Sequence, residues 1–461
     1  MNNKKISRRA FLKWQMAAAL GSSSFFPLLG NLSSAQAASI GGEYKALVCV
    51  FLLGGNDSFN MIVPRSSSAH SAYAAARRGL AINRDSLLSL SPASYNDGNS
   101  YGFHPGMPEA RQLFQENKLS ILANVGMLAE PITKEQYESK TKRIPPNLFS
   151  HADQQDLWMT AKASNSPADS FGWAGRMTDL MYPNPDLAPK PAVNLTTRPP
   201  NLWQTGTKNS PYEVSVDGVK PLVFPRHSGE YSMEQAYRDI TDLSVNNNHK
   251  LVSHFADVQE RSDTLTELIN TALVTAPKFS TAFPQEDTLG KQLEMVAKLM
   301  AVRDNLDSNI TRQVYFVGLG GWDTHDNQRG RHQELLQHLS KSLRAFNLAL
   351  EELGLDNQVT TFTASEFGRS LTPNNDGTDH GWGGHNLIMG GSIKGGDIFG
   401  TMPKLEIDSP DALKNGRIIP TTSVEQYAAT LANWFGLSSS EISTIFPNLS
   451  RFNTNNLGFL V

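Results

Sequence analysis

One cysteine in 461 residues leaves no disulfide for the chain to form within itself. Cys49 lies inside the apolar run Leu47–Leu53 and reads as a small buried hydrophobe. Stability must therefore come from core size, from a bound metal, or from both. An excess of positive charge is also missing, with 41 Lys and Arg against 44 Asp and Glu. A nucleic-acid binder would carry a basic stripe, so that class is excluded. Long unbroken apolar runs are absent too. The stretch from about Trp14 to Leu32 is interrupted by Gln15, a serine run, Pro27, Gly30 and Asn31. A membrane span needs about 20 nearly unbroken apolar residues, so no stable span is expected in the mature form.

Hydrophobic residues at 39% and charged residues at 18% fit a globular chain with a sizeable core. The 35 glycines and 25 prolines imply much loop. At the N-terminus, Ser7-Arg-Arg-Ala-Phe-Leu-Lys13 is a twin-arginine motif, and Ala35-Gln36-Ala37 supplies the small residues that a signal peptidase needs. Residues 1–37 are expected to be a signal peptide read by the twin-arginine translocase, which delivers a folded protein to the periplasm or beyond. Removing its five basic and no acidic side chains leaves 36 Lys and Arg against 44 Asp and Glu, a balance of −8.

Four short apolar runs rich in β-branched or aromatic residues read as buried strands: Ala46–Leu53, Leu119–Val125, Val314–Leu319 and Val359–Ala364. None alternates cleanly, which suits a parallel sheet covered on both faces. Helical patterns lie between them, at Pro108–Asn117, Ala152–Lys162, Thr288–Asn309, 331–353 and Val424–Phe435. This alternation predicts an α/β fold with a mostly parallel sheet, one domain over 38–461. Residues 180–285 read as an irregular insertion that turns helical over 232–275.

Ligands of parallel α/β sheets bind outside the carboxyl ends of the strands. After the first run comes Gly54-Gly-Asn-Asp57-Ser58, and after the third Gly320-Gly-Trp-Asp323-Thr-His325-Asp326. After the fourth come Glu366-Phe-Gly-Arg369, then Asp379-His380 and His385. Carboxylates mixed with imidazoles suit zinc, manganese, magnesium or calcium, as one ion or two. The candidate ligands are Asp57, Asp323, His325, Glu366, Asp379, His380 and His385. Asp57 and Asp323 equally suit helix caps, His325 suits a surface position, and Glu366 could pair with Arg369. In Asn147-Leu-Phe-Ser150-His151-Ala-Asp153, Ser150 opens a helix and is either a nucleophile or its N-cap. Arg369 offers a planar fork for an anionic substrate.

Taken together, LVCVFLLGGNDSFN, FHPGMPEARQLFQENKLSILANVG, NLFSHADQQ, GGWDTH and SEFGRS…GTDHGWGGHN resemble a large bacterial family of exported proteins. That family is known mainly as a domain of unknown function, often labelled sulfatase-like, and is similar to a distant branch of the alkaline phosphatase superfamily. The resemblance implies a three-layer α/β/α sandwich with metal ligands at the strand ends. It matches Asp57 to the first-strand aspartate, Ser150 to the nucleophile, Asp323 and His325 to a later Asp…His pair, and His385 to the final histidine. The chain departs from the pattern where Glu366-Phe367 follows the strand directly and the Asp-His pair comes only at 379–380. The expected function is an exported metal-dependent hydrolase of phosphate or sulfate esters, acting on a small or polymeric anionic ester. The alternative is a non-catalytic exported binding or assembly protein.

Overall fold

The computed structural model describes residues 43–163, 171–182, 194–198, 201–220, 235–239, 250–306 and 310–461. The leader expected at 1–37 and parts of the 180–285 region lie outside them. In chain order the elements that position the site are β1 (Lys45–Leu53), β2 (Leu119–Gly126), α1 (His151–Thr160), β3 (Asn194–Thr196), β4 (Tyr212–Glu213), β5 (Arg312–Gly320) and α2 (Gln328–Glu352). They continue with β6 (Val359–Ala364), β7 (Arg369–Asn374), β8 (Gly377–His380), β9 (Gly384–Met389), β10 (Ile398–Phe399) and α3 (Val424–Phe435).

One large mixed sheet runs in the order β10-β2-β9-β6-β1-β5-β3-β4, and a short Thr422–Ser423 strand also pairs with β2. All its pairings are parallel except those of β9, which runs antiparallel to both β2 and β6. The cause is the path of the chain. It leaves β6 at the carboxyl edge, builds the β7–β8 hairpin there, and must re-enter the sheet from the edge it left. The three central strands end nearly flush, with Phe51 opposite both Ala364 and Gly318 and Leu53 opposite Gly320. The segments leaving β1, β5 and β6 are thereby delivered to one rim.

All four apolar runs are strands within one or two residues of the expected bounds. Sequence patterning misses β9, because Gly384-His-Asn is followed by only three apolar residues after a glycine-rich loop. The fold is α/β as expected, and Glu43–Val461 is one compact unit. Within the 180–285 region β3 joins β5 and so extends the main sheet, while Lys250–Val274 is one long helix. Among the described residues no helix is long and apolar enough to cross a membrane.

Both faces of the central strands are covered, since Ala46 through Leu52 are all at most 1% exposed. On one face Phe362 of β6 is surrounded by Trp158, Trp173, Trp203 and Tyr427, with ring centroids 5.7–6.3 Å away. Trp158 also meets Phe51 edge-on at 5.7 Å, which pins α1 to the sheet. The helix starts at His151, with Asp153 in its first turn where the helix dipole favours negative charge, and ends at the left-handed Ala161. Its anchor therefore sets where its N-terminus points. Replacing Trp158 by Ala should cost about 3–5 kcal/mol through lost burial and the cavity left behind. Urea denaturation followed by circular dichroism would check this, and a loss under about 1 kcal/mol would remove Trp158 as the anchor.

Candidate metal centre

Beyond β5 the chain turns through Gly321 to Asp323, close against the end of β1. A Cβ on Gly54, whose φ is +122°, would come within 2.3 Å of the Asp323 nitrogen, so only glycine allows this approach. The hairpin is held as closely, since a Cβ on Gly377 would lie 2.1 Å from the His325 carbonyl carbon. Close backbone contacts thus hold the rim together as well as side chains do.

Asp323 is the hub. Its Oδ1 accepts from Arg369 Nη1 at 2.7 Å and lies 2.9 Å from His325 Nε2 and 3.2 Å from His380 Nε2. Its Oδ2 lies 3.3 Å from His151 Nε2. The ligand atoms of His151, Asp323 and His380 all fall within 4.8 Å of one another.

Hydrogen positions are set by the partner on the far side of each ring. Nδ1 of His380 is 2.7 Å from the Phe149 carbonyl, and a carbonyl only accepts, so this nitrogen carries the hydrogen. Nε2 then presents its lone pair to Asp323. Nδ1 of His151 donates to Glu366 Oε1 at 2.9 Å, which leaves Nε2 of the neutral ring bare. That Nε2 is buried and makes no well-formed hydrogen bond, with Asp323 Oδ2 at 3.3 Å. Two imidazole nitrogens and one carboxylate this close together can hold a cation between them. The donor set suits zinc or another divalent transition ion.

The charges divide: those at His380 favour a neutral ring, whereas those at His151 favour a proton that a cation would displace. The Glu366 hydrogen bond raises the proton affinity of His151 against the effect of burial, and the charges of Glu366 and Asp323 add to it. Burial lowers that of His380, which favours the neutral ring. Burial alone would raise the Asp323 carboxyl, but Arg369, with His325 and His151, holds it below the ordinary carboxylate range.

The other expected residues divide. His325 borders the cluster from the solvent side, 3.1 Å from His380 Nε2, and Asp379 stands 3.8 Å behind it. Glu366 is buried and accepts from Gly54 N, Gln155 Nε2 and His151, so it orients a ligand. Arg369 is fully buried, donating to Asp323, the Gly54 carbonyl and both oxygens of Thr378. Asp57 and His385 make no hydrogen bond to the three ligands. Asp57 occupies the N-cap position of the short Ser58–Met61 helix, as one reading expected, but its carboxylate makes no cap bond and accepts from Arg77 and Gln328 instead. His385 accepts from Asn124 N at Nδ1, lies edge-on to Phe59, and is pushed down to about 3 by burial. Ser150 occupies the N-cap position of α1, yet its hydroxyl donates to Asp153 Oδ2 at 2.6 Å instead of capping.

Sequence reasoning missed His151, which had a place in the NLFSHADQQ stretch but no role. The available signal was a histidine opening a helix immediately after the candidate nucleophile.

The chain belongs to the DUF1501 family. The model of that family, described as "Protein of unknown function (DUF1501)", matches residues 44–446. No curated protein matches the chain. Among solved structures, "Crystal structure of Ps i-CgsB" is 9% identical, with a TM-score of 0.35, and covers 90% of this chain and 77% of that one. The structure described as Ps i-CgsB "in complex with k-i-k-neocarrahexaose" has the same identity and coverage and a TM-score of 0.34.

Elemental analysis of the family member purified without chelator should find bound divalent metal. His151→Ala and His380→Ala should each remove most of it, and His385→Gln should not. Full metal content in both alanine variants would dismiss this centre.

Proposed function

We propose that this protein is an exported, metal-dependent hydrolase of phosphate or sulfate esters on an alkaline phosphatase-like fold. The observation that carries the reading is the buried, unpartnered Nε2 of His151, turned with His380 Nε2 toward the Asp323 carboxylate. A bound divalent ion (zinc or manganese before magnesium or calcium, given two imidazoles) would polarise the ester and stabilise charge on the departing oxygen.

The chain's own residues supply the rest. Ser150 stands between Phe149, whose carbonyl holds His380, and His151 itself. Its hydroxyl attacks the phosphorus or sulfur as the bond to the departing oxygen breaks, and Asp153, which already accepts its hydrogen at 2.6 Å, takes the proton; water then cleaves the resulting seryl ester and restores the hydroxyl. Arg369 fixes Asp323 from behind and adds positive charge beside the developing anion. His325 is the exposed imidazole of the group and delivers a proton to the leaving oxygen. Export rests on the twin-arginine motif at Ser7–Lys13, and a periplasmic or secreted location follows from it.

A second reading is a non-catalytic exported binding or assembly protein that keeps the ion for stability. One observation favours it: Arg369 is engaged on all three guanidinium nitrogens within the chain, which leaves no free fork for a substrate anion.

Aryl phosphates and aryl sulfates, assayed with zinc and with manganese, separate the two. Under the hydrolase reading, Ser150→Ala abolishes turnover and leaves metal content intact. Retained turnover with a stability loss of about 1 kcal/mol would make Ser150 a helix-start residue only. Bound metal without turnover of any tested ester would favour the second reading. For location, a double Arg8→Lys, Arg9→Lys change should hold the protein in the cytoplasm; unimpaired export would reject the twin-arginine route.

A further inference from the structure

Behind the centre runs a line of buried hydrogen bonds that reaches from the end of β1 to Asp323. Arg369 Nε donates to Thr378 Oγ1 at 3.2 Å, and Thr378 Oγ1 donates to Gln328 Oε1 at 2.6 Å. Gln328 Nε2 donates to Asp57 Oδ2, which Arg77 also holds. At the other end Arg369 Nη1 donates to Asp323 Oδ1. Asp57, Arg77, Gln328, Thr378 and Arg369 are all 0% exposed.

The direction of the line is fixed by chemistry. Asp57 only accepts, so the Gln328 amide must turn its nitrogen toward Asp57 and its oxygen toward Thr378. Thr378 has one hydrogen and gives it to that oxygen, which leaves a lone pair for Arg369. A second donation from Arg369 Nη2 to the Thr378 carbonyl holds the guanidinium in one plane. The line also joins the three segments that build the rim. Gln328 opens α2 just beyond His325, Thr378 lies in β8 just before His380, and Asp57 follows β1.

We infer that Gln328 and Thr378 are positioning residues for the metal centre: through Arg369 they fix the Asp323 carboxylate, and through Gln328 they keep Asp57 engaged away from the ion. This role rests on the metal reading of the rim. It gives the Asp57–Arg77 pair a use as the fixed end of the relay. It also explains how a carboxylate on an exposed loop can be held ready for a cation. Partners that hold metal ligands from behind characteristically set metal affinity, and losing one costs about ten- to hundred-fold.

The test is titration of chelator-stripped protein with Zn²⁺ and with Mn²⁺ against a chromophoric competitor, alongside the melting temperature of the metal-free form. Thr378→Val keeps the side-chain shape and removes the hydroxyl. It should bind metal about ten- to hundred-fold more weakly than wild type, and Thr378→Ser should recover most of that loss. Gln328→Met, of similar volume, should weaken binding in the same way and gives a second reading should Thr378→Val not fold. Wild-type affinity in a folded Thr378→Val or Gln328→Met chain would overturn the inference and leave the metal centre standing. A wild-type chain that binds neither ion would overturn both.

Discussion

A carboxylate on an exposed turn, with imidazoles on one side and a buried guanidinium on the other, is the constraint around which this rim is arranged. Arg369 holds Asp323 Oδ1 at 2.7 Å, and the three imidazoles of the cluster all approach that carboxylate. The guanidinium lowers the carboxyl's proton affinity against the opposing effect of burial, so Asp323 stays ionised. It also consumes one acceptor direction of Oδ1, which leaves the remaining lone pairs directed at the histidines. An ionised oxygen within 4.8 Å of two imidazole nitrogens is a group that could hold a cation.

The sheet makes this possible through one antiparallel strand. Had the chain crossed over after β6 to give another parallel strand, the residues after Ala364 would have left the rim along a helix. Instead they fold into the β7–β8 hairpin and return as β9, so Glu366, Arg369, Thr378 and His380 all remain at the carboxyl edge. The aromatic cluster around Phe362 performs the matching task for α1, with Trp158 fixing the helix that begins at His151. Two chain segments far apart in sequence meet there: His151 and Glu366 are hydrogen-bonded across 215 positions.

That separation explains what the sequence revealed and what it hid. The strands β1, β2, β5 and β6 were legible because each is a short apolar run that needs no partner to be recognised. The rim was legible through topology, since residues just beyond parallel strands share one edge, and Asp323, His325 and His380 were found that way. His151 follows no strand. It reaches the rim on a helix whose placement depends on Trp158 packing, a tertiary fact absent from local pattern. The division of labour among the carboxylates was hidden for the same reason. Asp57 and Glu366 both come after strands, but whether each faces an ion, an arginine or an imidazole depends on Arg77 and His151, which come from elsewhere in the chain.

Exposure varies across the centre in a way that bears on its use. The side chains of Glu366 and Arg369, behind the ligands, are 0% exposed, whereas Asp323 and His325, in front, are 41% and 44% exposed. Structural zinc sites are closed, with four protein ligands and no access; catalytic ones keep three ligands and an open position. Three converging ligands fixed from behind and approachable from solvent fit the second pattern. The His325 imidazole and its carboxylate neighbour are exposed, while the groups that hold the carboxylate from behind are buried.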